Sequence, residues 1–326
     1  MGSVVTDPAD SALFERAEVG PQALPGHRFD PPGVTWVEGA CPSHGGTRLW
    51  FRGRAAGTTA VWVADVDRDR VERVAPGRLW PVATADGSAA VVDVRSLYLA
   101  SGADSLEPSG RFTDPGGGRV VAGPTVASDG ERVAAVVEAE GERRVVSVHV
   151  RRDDLTTWVE GYAVEALQCN PTDPTLLLLV GKSGPRGRPA WLAREGLGAR
   201  PIRDALPDTH RSHQWAADGT GLWYLGPDGV EFLDLAGWRR ERVWSTAARA
   251  LAVSRDGGLL AVAGPSEGQG TVVRARARDG GAAVTVATDV VDGPWFDAAG
   301  SLAVGTARGL AVVSRQSLRA SLGARK

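Results

Sequence analysis

Leu251-Ala252-Val253-Ser254-Arg255-Asp256-Gly257-Gly258-Leu259-Leu260-Ala261-Val262-Ala263 places two apolar runs on either side of an Asp-Gly pair. Each run is of strand length and rich in small and β-branched residues, which favours extended chain over helix. Glycine tolerates a positive φ and the aspartate carboxylate can hold its own backbone, so the pair reverses the chain tightly. The phrase recurs as His44-Gly45-Gly46, Asp86-Gly87, Asp129-Gly130, Pro171-Thr172-Asp173, Asp218-Gly219 and Ala299-Gly300. Counted between last residues, the intervals are 41, 43, 43, 46, 38 and 43. Spacing of this kind marks a repeat architecture.

Further strands follow within repeats, such as Ala60-Val61-Trp62-Val63-Ala64-Asp65-Val66 and Val145-Val146-Ser147-Val148-His149-Val150. Seven turn phrases, each heading three or four strands, predict an all-β, seven-bladed β-propeller with mostly four-stranded antiparallel blades. An N-terminal extension covers residues 1–29, with a short helix expected around Ser11–Arg16. The blades are expected at 30–77, 78–117, 118–162, 163–209, 210–246, 247–292 and 293–326. The last is short, so a strand near residues 30–37 is expected to complete it. A β-sandwich is the competing all-β reading, and the even spacing along the whole chain argues against it.

The 326 residues are 43% hydrophobic, enough for a large core. Lys and Arg number 37 against 39 Asp and Glu, scattered along the chain, so no basic tract points to nucleic acid. No run reaches membrane-spanning length and no basic start precedes an apolar segment, which makes a soluble cytoplasmic protein the default expectation. Cys41 and Cys169 are too few for a disulfide framework and belong to no metal-spacing motif. Of eleven tryptophans, Trp50, Trp62 and Trp191 sit inside strand patterns and are expected between blades. The pattern specifies no oligomeric state.

In a propeller the strand before each turn lies nearest the central axis, so residues upstream of successive turns converge on one channel rim. Leu79 and Trp80, Gly123 and Pro124, Glu165 and Gln168, His210, Arg211 and His213, Arg249, and Asp292 with Trp295 form that set. Its histidines, arginines and carboxylates suit a small anionic or hydroxyl-rich ligand in the central channel. Arg211, Arg249, Trp80, Trp295, Gln168 and Asp292 are the candidate binding residues. His210 and His213, with Glu165, are the candidates for acid–base work, histidine for its near-neutral pKa.

His210 and His213 could share a metal only with further ligands such as Glu165 or Asp292. The plain alternative has His213 bonded to backbone at the hub and His210 solvated. His149 reads as an edge residue, His44 as a turn residue, and His27 as a rim residue of the extension. The loop Gly181-Lys182-Ser183-Gly184-Pro185-Arg186-Gly187-Arg188 is cationic and glycine-rich but lacks P-loop spacing. Lys182, Arg186 or Arg188 could pair with a carboxylate, an arginine through a bidentate fork. Arg95 and Tyr98 are similar candidates in the second blade.

Leu167-Gln168-Cys169-Asn170-Pro171-Thr172-Asp173-Pro174-Thr175, Lys182-Ser183-Gly184-Pro185 and Ser212-His213-Gln214-Trp215-Ala216-Ala217-Asp218-Gly219 resemble phrases of the oligogalacturonate lyases, propellers related to the TolB-like repeats. The specific phrases lie within roughly residues 160–224. The resemblance implies β-elimination on galacturonides, with a divalent metal such as manganese holding the uronate carboxylate. His213 matches a family ligand, and Arg188 lies near a family arginine. Where the family has a His-Pro-His-Pro phrase, this chain reads Val291-Asp292-Gly293-Pro294-Trp295-Phe296, and Ala166 stands where a histidine is common. The implied activity is a divergent lyase or isomerase using proton abstraction, with a metal or protein groups opposing the developing charge. A non-catalytic ligand-binding or protein-interaction propeller is the alternative.

Overall fold

The computed structural model describes residues 27–29, 34–42, 48–55, 57–65, 68, 70–77, 79–83, 88–93, 95–101, 106–112, 117–152, 154–182, 184, 188–202, 213–266, 270–297, 299–306 and 309–323. The strands form seven separate four-stranded antiparallel sheets, the blades of a propeller. Strand β1 is His27–Phe29, and blade one is β2 (Val34–Pro42), β3 (Arg48–Ala55), β4 (Thr58–Asp65) and β5 (Arg70–Pro76). Blade two is β6 (Trp80–Ala83), β7 (Ala89–Val92), β8 (Ser96–Ala100) and β9 (Leu106–Arg111). Blade three is β10 (Arg119–Val126), β11 (Arg132–Ala139), β12 (Glu142–His149) and β13 (Leu155–Glu160). Blade four is β14 (Val164–Cys169), β15 (Leu176–Gly181), β16 (Ala190–Arg194) and β17 (Gly198–Pro201). Blade five is β18 (His213–Trp215), β19 (Gly221–Gly226), β20 (Gly229–Asp234) and β21 (Arg239–Ser245). Blade six is β22 (Ala250–Val253), β23 (Leu259–Ser266), β24 (Gly270–Ala277) and β25 (Gly280–Ala287).

Blade seven is β26 (Val290–Phe296), β27 (Leu302–Thr306) and β28 (Gly309–Val313), completed by β1. The closing strand pairs His27 with Val312 and Phe29 with Leu310. It therefore comes from just before the 30–37 stretch expected on sequence, and Val34–Pro42 serves instead as the first strand of blade one. Three residues of chain with no apolar alternation leave little signal to locate such a strand. The expected helix around Ser11–Arg16 lies outside the described residues. Residues 315–323, grouped on sequence with the last blade, form helix α1 (Arg315–Gly323). Leu318 and Leu322 bury its apolar side in the seam between blades six and seven.

The period-2 pattern explains the core. Strands in the middle of a blade are covered on both faces, and alternate residues serve opposite neighbours. On β19, Leu222 and Tyr224 face blade four, whereas Trp223 and Leu225 face blade six. On β3, Leu49 and Phe51 meet blade seven, while Trp50 meets blade two. Each of the seven seams is one such cluster, so β3–β28 closure completes a ring of apolar interfaces. Trp50 and Trp62 are buried in these seams as expected, and Trp191 packs half-buried between blades three and four, edge-on to Tyr162 at 5.3 Å.

The turn phrase does the work its composition suggests. Gly257 has φ of 67° and its N–H donates to Ser254 O at 2.7 Å, while the Asp256 carboxylate accepts the Ser254 hydroxyl at 2.6 Å. Asp218-Gly219 repeats the arrangement, with Thr220 donating through both N–H and Oγ1 to Asp218 Oδ1 at 3.0 and 2.8 Å. The phrases at 44–46 and 86–87 lie outside the described residues. Arg315 and Arg319 of α1 both reach Asp256, which ties the chain's last helix to blade six. Among the described residues no helix is long and apolar enough to cross a membrane.

Candidate functional site

Strand polarity puts the first residues of β14 and β18 and the loop after β15 on one rim. Val164 of β14 pairs with Gly181 of β15, so the loop departs beside Glu165. That loop is anchored at both ends. Gly181 N–H donates to Pro189 O at 2.8 Å, and Lys182 N–H donates to Ala163 O at 3.2 Å. Gly181 must be glycine for this, because a Cβ there would lie 2.9 Å from both Pro189 and the Trp191 ring. The loop returns with Arg188 turned inward, only 5% exposed.

Arg188 Nη1 lies 3.6 Å from Glu165 Oε2. Across the seam, half-buried His213 opens blade five, and the Gln168 side-chain amide donates to His213 O at 2.8 Å. Trp215 Nε1 donates back to Gln168 O at 3.3 Å. Burial holds the His213 imidazole well below its ordinary pKa, at about 4, and the nearby Arg188 charge pushes it the same way. The ring is therefore neutral at pH 7, with a nitrogen able to accept a proton. The structure thus gathers Glu165, Arg188, Gln168 and His213 from the sequence-predicted set, at the junction of blades four and five.

Other candidates stand apart from that group. Trp80 is half-buried with the Arg52 guanidinium 5.4 Å from its ring centroid. Trp295 packs against the seam between blades seven and one, and Asp292 accepts the Gly293 N–H at 2.9 Å. Arg249 and Lys182 are exposed, and the Arg249 backbone N–H bonds Ala263 O at 2.7 Å. Gly123 holds φ of 95° tight against Ala135 of β11. Tyr98 packs against the core between blades one and two, and Arg95 is exposed. His149 accepts the Arg151 N–H at Nδ1, at 3.1 Å, as an edge residue. His210, Arg211, Arg186 and His44 lie outside the described residues, as does the side chain of His27.

Sequence reasoning did not single out Gln214. Its side chain clamps blade six, donating to Val253 O at 3.0 Å and accepting Val253 N–H at 2.9 Å. With Thr125 Oγ1 accepting the Cys169 N–H at 3.2 Å, the hub strands of blades three to six are stitched side chain to backbone. An amide side chain spaced one residue from the inward-facing His213 was the available signal. Cys169 itself is half-buried, and desolvation pushes its thiol up to about 12, which disfavours the reactive thiolate.

The His213 shift has a consequence for stability. Its folded pKa is depressed below the unfolded value, so between about pH 6.5 and 4 the unfolded chain binds a proton that the native state refuses. The stability is present in full above pH 6.5 and falls as pH drops toward 4. His213→Gln is expected to flatten thermal unfolding midpoints across that window relative to wild type. Parallel curves for the two proteins would mean that the ring is solvated and titrates normally.

The described residues of this rim do not offer a divalent cation a full ligand set. Among the described residues no three His, Cys, Asp or Glu side chains gather as a metal-binding group. An ion on His213 would also lie close to the buried Arg188 charge.

No family model matches the chain, and no curated protein matches it. Solved structures do. An oligogalacturonate lyase in complex with manganese superposes with a TM-score of 0.74 at 15% identity, covering 91% of this chain and 96% of that one. An oligogalacturonate lyase from Vibrio parahaemolyticus gives a TM-score of 0.69 at 13% identity, covering 88% and 92%. Hydrazine synthase of Kuenenia stuttgartiensis gives 0.59 at 13% identity over 88% and 97%. At these identities the likeness is one of fold, that of a seven-bladed propeller.

Proposed function

We propose that the rim between blades four and five binds a small sugar-acid-like anion and abstracts a proton from it, in a lyase or isomerase reaction. The observation that supports this most directly is a buried guanidinium, Arg188, set beside a neutral imidazole, His213. A C–H next to a carboxylate becomes removable when the charge that develops on the carboxylate is opposed by a fixed cation. Arg188 supplies that charge and His213 accepts the proton at a ring nitrogen. Glu165, 3.6 Å from Arg188, orients the guanidinium.

The low proton affinity of His213 makes it a weak base in the absence of a ligand. A ligand carboxylate against Arg188 would offset the charge that depresses the imidazole, raising its pKa toward the range where general bases work best. The fold likeness to oligogalacturonate lyases supports a uronate-class substrate.

Incubation with galacturonides and monomeric uronates in deuterated buffer tests the reading, since abstraction and return of the proton place deuterium on the carbon next to the carboxylate. Wild type is expected to exchange or eliminate, and His213→Ala to lose roughly 10²–10⁴-fold of that rate with an unchanged unfolding midpoint. Equal rates in the two proteins would remove His213 as the base. The weak basicity of His213 also favours a second reading, a binding propeller without catalysis. Ligand binding with no exchange in wild type would establish that reading instead.

A further inference from the structure

We infer that Gln168, a ligand-binding candidate by its place in the sequence, is instead a positioning residue whose amide fixes the backbone of His213 from the neighbouring blade. Its effect on turnover rests on the reading above that His213 is the base; the brace itself does not.

Strand β18 is three residues long and forms the inner edge of its sheet, paired with β19 alone. In that ladder His213 lies opposite Tyr224, Gln214 opposite Trp223 and Trp215 opposite Leu222. One residue further on, Ala216 N–H donates to Gly221 O at 2.8 Å. Opposed residues of an antiparallel ladder alternate between bonded and non-bonded pairs. Counting back from Ala216, the backbone groups of Gln214 turn toward β19, and those of His213 turn away along the open edge. A carbonyl there has no strand to cover it and takes its donor from elsewhere. Gln168 supplies that donor, with Nε2 2.8 Å from His213 O.

Two further contacts hold the same short strand. Trp215 Nε1 donates to Gln168 O at 3.3 Å, so Gln168 meets β18 at two points across the seam. Gln214 grips Val253 of blade six, donating at 3.0 Å and accepting at 2.9 Å. Strand β18 is thereby tied to the blade on either side, and every group involved belongs to a described strand. A ligand that took the same Gln168 N–H would leave the His213 carbonyl unpaired, which opposes a direct binding role.

Deuterium exchange into galacturonate by the full-length protein, measured over a range of substrate concentrations, separates the two roles. Gln168→Met keeps the side-chain volume and removes the donor. It is expected to lower kcat roughly 10–100-fold, the loss for an ångström-scale misplacement of a reacting group, with KM within about twofold of wild type. A lost ligand contact would raise KM and spare kcat. That pattern, or an unchanged kcat in a folded variant, would overturn the inference. In wild type, the Gln168 side-chain N–H groups, followed by NMR, are expected to exchange with solvent at least about tenfold more slowly than those of exposed Gln316. Equal exchange at the two glutamines would overturn the inference with no substitution made. If wild type places no deuterium on galacturonate, the proposed reaction falls, and the amide exchange alone decides for or against the brace.

Discussion

Trp223→Ala is expected to lower the free energy of unfolding by about 4–5 kcal/mol, the upper range for deleting a buried indole. Trp223 is 1% exposed on β19 and fills the seam between blades five and six. Phe232 stacks on it with ring centroids 4.7 Å apart and an interplanar angle of 48°. Blades pack against each other through such seams, so neighbouring strands held by their own ladders cannot collapse into the vacated volume. The Arg278 guanidinium lies 4.9 Å from the Trp223 centroid and 5.5 Å from that of Phe232. Arg278 is exposed, so its cation–π contribution is about 0.5–1 kcal/mol and cannot account for the larger effect. Denaturant unfolding of Trp223→Ala and Arg278→Ala separates the two contributions. A Trp223→Ala loss below about 2 kcal/mol would show that the seam relaxes.

The second large effect is expected at Asn170, 2% exposed in the turn of blade four. Its Nδ2 donates to Gly219 O at 3.0 Å, across the seam in the turn of blade five. Its Oδ1 accepts the N–H groups of Thr172 and Asp173, both at 2.9 Å, and the Thr172 hydroxyl at 3.0 Å. Asn170→Ala leaves a carbonyl and two backbone donors without these partners, at a cost of about 2–4 kcal/mol. Gly219→Ala is expected to cost a similar amount, about 2–4 kcal/mol, for a different reason. Its φ is 71°, and a Cβ would fall 2.4 Å from Thr172 Oγ1 and 2.5 Å from Asn170 Oδ1. Removing the Asn170 amide makes room for that Cβ, so the double variant should be destabilised by less than the sum of the singles. Strict additivity in unfolding experiments would mean that the two turns do not share this contact.

These two positions also explain the phrases that resemble oligogalacturonate lyases. Asn170-Pro171-Thr172-Asp173-Pro174-Thr175 and Asp218-Gly219 build the polar knot joining blades four and five. Asp173 Oδ1 accepts from Thr175 N at 2.9 Å and from Thr175 Oγ1 at 2.6 Å, and Thr172 Oγ1 donates to Asp218 O at 3.3 Å. The most recognisable stretch of this chain is thus largely a device for holding two blades in register. It lies on a different face from the proposed acid–base groups, because turns between first and second strands lie opposite the rim that carries Arg188 and His213.

The blade count was legible because turn chemistry is local: glycine takes the positive φ, and the preceding aspartate binds backbone two residues on, wherever the hairpin sits. The alternation that splits Trp50 from Leu49 and Phe51 is likewise a property of any extended strand. The closing strand His27–Phe29 was less legible, since its ladder to β28 joins opposite ends of the chain. Local pattern carries no information about such a distant partner.

The site divides in the same way. Sequence alone picked out candidates for the rim, through their distance from each turn, and the chemistry they could bring. Only the tertiary structure decided that Arg188 is buried beside His213 and Glu165, while Trp80 takes the Arg52 cation and Trp295 joins a seam. The physical reason is that residue type and strand phase are set within a few residues. Burial, and the charges that shift a proton's affinity, are set by whichever blade packs alongside.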